Sequence, residues 1–182
     1  MPDPEIIRRL DAAIALARAA GDRTLRLFRS PRLRAAAKPD GTAVTDADRD
    51  CERFLRDRIC SAFPRDAVLG EEDGSSPGTS GYRWILDPID GTTSFIHGVP
   101  LFGTLIAVEH EARAVAGVIH LPALDETVHA SIGGGAWHSL GQADPRPARV
   151  TSTPRLREAM VLSTSNDYFT SAREAPVWEA IQ

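Results

Sequence analysis

Apolar positions along the chain recur at two periods. From the N-terminus, Ile7, Leu10, Ile14, Ala17, Gly21, Leu25 and Phe28 fall at helical spacing, which predicts one amphipathic helix over residues 4–29. Asp3 serves as its N-cap and Pro4 as its first helical residue, where a missing N–H costs nothing. Residues 30–43, with Pro31, Pro39 and the Asp40-Gly41 pair, break the period and predict a loop. Thr45-Asp46-Ala47-Asp48 then has the form of a capping box ahead of Cys51, Phe54, Leu55 and Ile59, and Pro64 closes this second helix.

Beyond Pro64 the pattern shifts to short apolar runs: 67–70, 82–86, 102–108, 114–120, 127–132 and 160–163, each predicted as a strand. The runs 102–108 and 114–120, joined by the charged turn Glu109–Arg113, predict an antiparallel hairpin. Residues 73–81 and 139–147 are predicted loops, Gly133–Gly135 a turn, and no internal repeat occurs. Two helices followed by hairpin-linked strands predict an α+β fold and not a doubly wound sheet. A single domain over residues 1–182 is the simplest organisation.

Composition changes this picture little. With 182 residues, 42% of them hydrophobic, the chain can bury a core without disulfide or metal staples. No apolar run approaches the ~20 residues that span a bilayer, and no signal-peptide h-region can be drawn, so the expectation is a cytoplasmic protein with no membrane partner. Cys51 and Cys60, nine apart in one predicted helix, would hold their Cα atoms ~13 Å apart, beyond disulfide reach. The formal net charge of −4 argues against a general nucleic-acid binder. Residues 1–38 are nonetheless basic, with nine basic against four acidic side chains, so the acidic surplus lies beyond them. A cation is one candidate to balance that surplus. Lys38 is the single lysine in the chain, and a compact ammonium does what a guanidinium fork cannot.

The densest acidic feature is Gly70-Glu71-Glu72-Asp73 after one predicted strand, together with Asp87-Pro88-Ile89-Asp90-Gly91-Thr92-Thr93 after the next. If both strands lie in one sheet and end on the same side, Glu71, Asp87 and Asp90 converge. Carboxylates held that close repel unless a cation sits between them, and hard oxygen donors suit Mg²⁺ or Mn²⁺. Pro88 bends the chain so that Asp87, the Ile89 carbonyl and Asp90 can point to one spot. Gly91 permits close backbone approach, and Thr92 and Thr93 offer N–H and hydroxyl donors where a helix can start, an arrangement that binds phosphate. A cation cluster beside an anion-binding turn is the layout of metal-assisted phosphate ester hydrolysis. Each segment alone also reads as a plain solvated turn; together they favour the chemistry. The five histidines form no close pair or Cys/His cluster that would suggest zinc, and Ser163–Ser165 has no histidine and acid to make it a nucleophile.

Trp84-Ile85-Leu86-Asp87-Pro88-Ile89-Asp90-Gly91-Thr92-Thr93-Ser94-Phe95, preceded by Gly70-Glu71-Glu72 and Val44-Thr45-Asp46-Ala47-Asp48, resembles the inositol monophosphatase family of Mg²⁺-dependent phosphatases. Residues 100–108 and 133–137 are most similar to its histidinol-phosphatase branch. The resemblance implies a layered αβαβα sugar-phosphatase fold, here represented by its N-terminal helix pair and mainly antiparallel sheet. It also implies a Mg²⁺-dependent phosphomonoesterase acting on a small phosphorylated metabolite. L-histidinol phosphate is the first choice of substrate and inositol 1-phosphate the second. A full-length member is expected to be a homodimer. Nothing in the 182 residues matches the Trp-Asp-x-Ala-Ala-like motif of the family's second half, so a C-terminally incomplete and catalytically impaired member is a further expectation.

Carried over position by position, the resemblance makes Glu71, Asp87 and the Ile89 carbonyl ligands of a first metal, with Asp87 and Asp90 holding a second. Glu72 and Lys38 lie near the second as outer-shell or third-metal partners. Gly91, Thr92 and Thr93 cradle the phosphate, and Thr92 with Asp48 orients the attacking water, Glu71 assisting through the metal. Without the resemblance, Asp48 is a capping-box residue and Lys38 a solvated loop lysine.

Overall fold

In the computed structural model of the chain, which describes residues 3–39 and 41–160, the first amphipathic stretch forms α1 (Pro4–Leu25). Asp3 caps it, its carboxylate accepting from Glu5 N at 2.8 Å. The helix stops short of the predicted residue 29. Leu27 and Phe28 turn away to pack with Ala47, Ile89, Phe95 and Phe102, and Arg29 adopts a φ of 58°. There its guanidinium donates twice to the Gly98 carbonyl, at 2.8 and 3.0 Å.

The predicted loop 30–43 instead contains two short strands, β1 (Ala35–Ala37) and β2 (Ala43–Thr45), paired antiparallel. All three alanines of β1 are exposed, so no apolar alternation announces the strand. α2 (Asp46–Ala62) begins at the predicted capping box. Thr45 Oγ1 accepts from Ala47 N and Asp48 N, and Asp48 Oδ2 accepts from Thr45 N at 2.8 Å.

The remaining strands are β3 (Ala67–Gly70), β4 (Gly74–Ser76), β5 (Tyr82–Asp90), β6 (Gly103–His110), β7 (Arg113–Leu121), β8 (Glu126–Ser131), β9 (Gly135–Leu140) and β10 (Arg146–Pro147). They form one sheet in the order β10-β9-β8-β7-β6-β5-β3-β4, antiparallel throughout except for β3 against β5. The fold is therefore α+β with a mostly antiparallel sheet, as predicted. β4, β10 and the end of β9 fall in predicted loops, because Gly74-Ser75-Ser76 and Arg146-Pro147 carry no apolar signal. β5 runs four residues beyond the predicted 86. The β6–β7 turn tightens to Glu111 and Ala112, both at positive φ (48° and 62°) as a two-residue hairpin requires.

Residues through Ala148 form one compact unit and Arg149–Gln182 a second. The described part of the second carries a single 3-10 turn, Leu156–Glu158. Of the strand predicted over 160–163, Met160 lies in no strand, and the other three residues, with Ser163–Ser165, lie outside the described residues. No helix among the described residues is long and apolar enough to cross a membrane.

Both long helices pack on one face of the sheet. Leu10, Ala13 and Ala17 of α1 and Cys51, Leu55 and Ile59 of α2 meet Trp84, Leu86, Ile106, Val108 and Val118. The alternate residues of the same strands point the other way. Ile85, Leu105, Ala107, Gly117, Ile119, Val128 and Ala130 line an open cavity of about 440 Å³, with Asp87 among its walls.

One buried polar network ties α1 to the sheet. Arg9 and Asp66, only 5% and 6% exposed, form a two-point ion pair, Nε to Oδ2 at 2.8 Å and Nη2 to Oδ1 at 3.0 Å. Ser80 Oγ and Trp84 Nε1 donate to the same carboxylate at 2.7 and 2.9 Å. Burial alone pushes the Asp66 carboxyl up, but the donors Arg9, Ser80 and Trp84 outweigh it and hold it below the usual carboxylate range. Removing one partner of such a pair strands the other charge, so Asp66→Ala should cost about 3–5 kcal/mol in urea unfolding. A loss below about 1 kcal/mol would equate the pair with an exposed one. The paired carboxylate stabilises the fold above its unfolded pKa of about 3.9, and that contribution disappears as pH falls through its lower folded value. Melting temperatures of Asp66→Asn should therefore fall less steeply than those of the wild type below about pH 4.

Candidate functional site

The parallel pairing of β3 and β5 creates the site. Gly70 is in register with Leu86, and Glu71 N donates to the Leu86 carbonyl at 3.2 Å, so Glu71 leaves β3 beside Asp87. Parallel neighbours end on the same side, which is why two sequence segments sixteen residues apart meet. After Asp87, the register of β5 against β6 shifts by one residue, since Asp87 faces Leu105 but Asp90 faces Gly103. Pro88 lies in this bulge, where a missing N–H is tolerated, and its carbonyl accepts from the buried Thr104 Oγ1 at 2.9 Å. The bulge thus falls between Asp87 and Asp90 at the end of β5.

Gly91 turns the chain into α3 (Thr92–Ile96) with φ 82° and ψ 38°. A Cβ here would also lie 3.0 Å from the Leu101 carbonyl oxygen, so both conformation and space call for glycine. Thr92 begins α3 with its hydroxyl 3.0 Å from the Ile89 carbonyl and 3.3 Å from Asp48 Oδ1. Thr93 follows, exposed, with its carbonyl accepting from His97 N at 3.2 Å. Asp48 is 1% exposed at the start of α2. Burial raises its pKa against the lowering effect of hydrogen bonds from Thr45 and Thr92. The capping and site-facing placements of Asp48 thus coexist, with Oδ2 on Thr45 and Oδ1 toward Thr92.

Lys38, at the tip of the β1–β2 hairpin, is not a free loop lysine. Its ammonium lies 2.7 Å from both Glu71 Oε1 and Glu72 Oε1. Burial acts to lower its pKa, but these two carboxylates more than compensate and raise it. Glu72 is almost buried, and desolvation raises its pKa despite Lys38. Asp87 has no such cation. Burial, the neighbouring Glu71, and the charges of Asp90 and Asp48 push its carboxyl up to about 8. Its Oδ1 is buried without a hydrogen-bond partner among the described residues. Among the described residues no three His, Cys, Asp or Glu side chains close around one point as a ready-made cage. Glu71, Asp87 and Asp90 share one end of the sheet with Glu71 turned toward Lys38. The donor set fits a hard divalent cation: all its atoms are carboxylate or carbonyl oxygens, and one buried carboxylate oxygen lacks any counterpart.

A charged group that the sequence pattern passed over also borders the site. Glu52, 0% exposed in α2, accepts from Glu72 N at 2.7 Å and Asp73 N at 3.0 Å. Its signal was available. Asp48 and Glu52 stand on the same helical stripe as Leu55 and Ile59, where a carboxylate has no business unless it is bonded.

Comparisons with known proteins place the chain in a family. The inositol monophosphatase family matches residues 7–175. The chain is 42% identical over 159 residues to a histidinol-phosphatase of Chlorobaculum parvum, covering 87% of this chain and 60% of that protein. It is 38% identical over 130 residues to an inositol-1-monophosphatase of Rhizobium meliloti, covering 71% and 47%. Among solved structures it resembles the extragenic suppressor protein suhB of Bartonella henselae, with TM-score 0.75, 34% identity and coverage of 82% and 57%. A Thermotoga maritima inositol monophosphatase structure gives 0.71 and 33%, with coverage of 82% and 56%. The chain thus spans no more than about three fifths of the length of these relatives. A match over residues 7–175, nearly all of the chain, on a fold shared with solved members, means that the chain belongs to the inositol monophosphatase family.

Proposed function

We propose that this chain carries the metal- and phosphate-binding part of a phosphomonoesterase for a small phosphorylated metabolite, with L-histidinol phosphate as substrate. The observation that carries the reading is the end of the β3–β5 pair. There Glu71, Asp87 and Asp90 share one end of the sheet near Thr92 and Asp48, and Asp87 keeps a buried oxygen unpartnered among the described residues. Members of the family are generally metal-dependent, usually on Mg²⁺. Histidinol phosphate is preferred over inositol 1-phosphate because relatives named histidinol-phosphatase match at 42% and 41% identity over 87% and 84% of the chain. Two inositol-1-monophosphatases match at 38% and 44% identity but over less of the chain, 71% and 58%.

In this reading Glu71, Asp87 and the Ile89 carbonyl hold a first Mg²⁺ or Mn²⁺, and Asp87 with Asp90 a second. When bound, such ions supply Lewis-acid polarisation of the phosphoryl oxygens and a lowered pKa for water. The chain's own groups do the rest. Backbone N–H groups at Gly91, Thr92 and Thr93 bind phosphate oxygens, since a helix start leaves them without helical partners. The Thr92 hydroxyl, held between the Ile89 carbonyl and Asp48, orients the attacking water. Water oxygen bonds to phosphorus as the ester P–O bond breaks, and the proton that the water gives up passes to the leaving alkoxide, giving alcohol and phosphate. Lys38 and Glu72 stay outside the ligand set, Lys38 offsetting the carboxylates' repulsion.

Asp87→Asn keeps the shape of the side chain and removes its charge, so calorimetric titration with Mn²⁺ should show binding at least roughly tenfold weaker than wild type. Unchanged affinity would remove Asp87 from the site. For turnover, phosphate release measured with both esters should give a higher kcat/KM for L-histidinol phosphate than for inositol 1-phosphate. Thr92→Ala should lower kcat by about 100-fold. The reverse substrate order would transfer the assignment to inositol phosphates.

A further inference from the structure

The mechanism leaves one fully buried charge without a task. Glu52 touches neither the carboxylates of the site nor the Thr92 hydroxyl, yet it accepts three hydrogen bonds. Oε2 takes Glu72 N at 2.7 Å, and Oε1 takes Asp73 N at 3.0 Å and Arg56 Nε at 2.8 Å. Glu71 N is already fixed on Leu86, so three consecutive N–H groups, those of residues 71, 72 and 73, are all tied to named partners. Arg56 extends the same clamp beyond the turn, donating to Ser76 Oγ at 3.1 Å and to the Gly74 carbonyl on β4. Gly70 completes the fit, because a Cβ at that position would lie 1.9 Å from Glu52 Oε1.

A neutral side chain of the same shape would be easier to bury, but it could not make these bonds. Three donors converge on two carboxylate oxygens, whereas glutamine offers one acceptor oxygen and would turn an NH₂ toward an N–H. Outer partners of this kind orient metal-ligating groups without touching the ion. We propose that Glu52 is a positioning residue: it fixes the backbone of residues 71–73 from α2, so that Glu71 stays beside Asp87 and the cation affinity of the site depends on a helix residue outside it. This inference rests on the cation-site reading above.

Three measurements on the 182-residue chain test it. In the wild type, the amide hydrogens of Glu72 and Asp73 should be protected from solvent exchange; exchange at the rate of a solvated turn would overturn the proposal without any variant. In Glu52→Gln, both amides should exchange faster while those of β6 and β7 stay protected, and Mn²⁺ affinity followed by electron paramagnetic resonance should fall about 10- to 100-fold. A merely structural role would lower the melting temperature and leave the affinity of the folded protein unchanged. Gly70→Ala displaces the Glu52 carboxylate while keeping its charge, and should weaken Mn²⁺ binding in the same direction, which covers the case in which Glu52→Gln does not fold. Mn²⁺ affinity within twofold of wild type in either folded variant overturns the role of Glu52 and leaves the cation site standing. Failure of the wild type to bind Mn²⁺ overturns both.

Discussion

Negative charge gathered at one end of a sheet is the constraint on which the rest of this structure depends. Glu71, Glu72, Asp87 and Asp90 leave two adjacent parallel strands together, with Asp48 close behind. Their mutual repulsion is large in a partly desolvated setting, and the fold answers it unevenly. Lys38 balances Glu71 and Glu72 from the β1–β2 hairpin, and Asp48 is held by its capping box and Thr92. Among the described residues Asp87 is left without a cation, its carboxyl pushed up to about 8 and one oxygen unpartnered. The surrounding architecture reads as support for that imbalance. The bulge at Pro88 and the left-handed Gly91 aim the strand end, while α2 supplies hydrogen bonds from behind.

The same helix–sheet packing that shields the site depends on buried ions elsewhere. Arg9 and Asp66 join α1 to the sheet through a carboxylate that accepts four hydrogen bonds, and Glu52 joins α2 to the β3–β4 turn through two, with a third from Arg56 of its own helix. In both cases the carboxylate is satisfied by donors from separate elements, the condition under which a buried charge is tolerated. Asp87 is the exception to that pattern, and it is the residue shared by both proposed metal positions.

Much of this was legible in the chain. The capping box at Thr45–Asp48 gave the start of α2, and the hairpin of β6 and β7 followed from alternation around a charged turn. The placement of Glu71 and Asp87 at one end of the sheet required one assumption, that two strands run parallel in one sheet, and the register meets it. What was not legible has physical causes. Exposed alanines in β1 and Gly-Ser residues in β4 form strands because neighbours supply the pairing, so no periodicity marks them. Arg9 looks like an ordinary solvated helix charge until the tertiary fold places Asp66 against it, and the position of Glu52 on an apolar stripe marks it as bonded without naming the Glu72 amide as its partner. Lys38 likewise acquires its meaning only from the hairpin that carries it.

The central claim is that Asp87 awaits a cation beside Glu71, and anomalous diffraction from crystals of the chain soaked in Mn²⁺ tests it most directly. The account predicts a manganese peak in contact with Asp87 Oδ1 and a Glu71 oxygen, with Glu71 turned from Lys38 toward the ion. Crystals that take up manganese elsewhere, or leave Asp87 without a peak at saturating Mn²⁺, would contradict it.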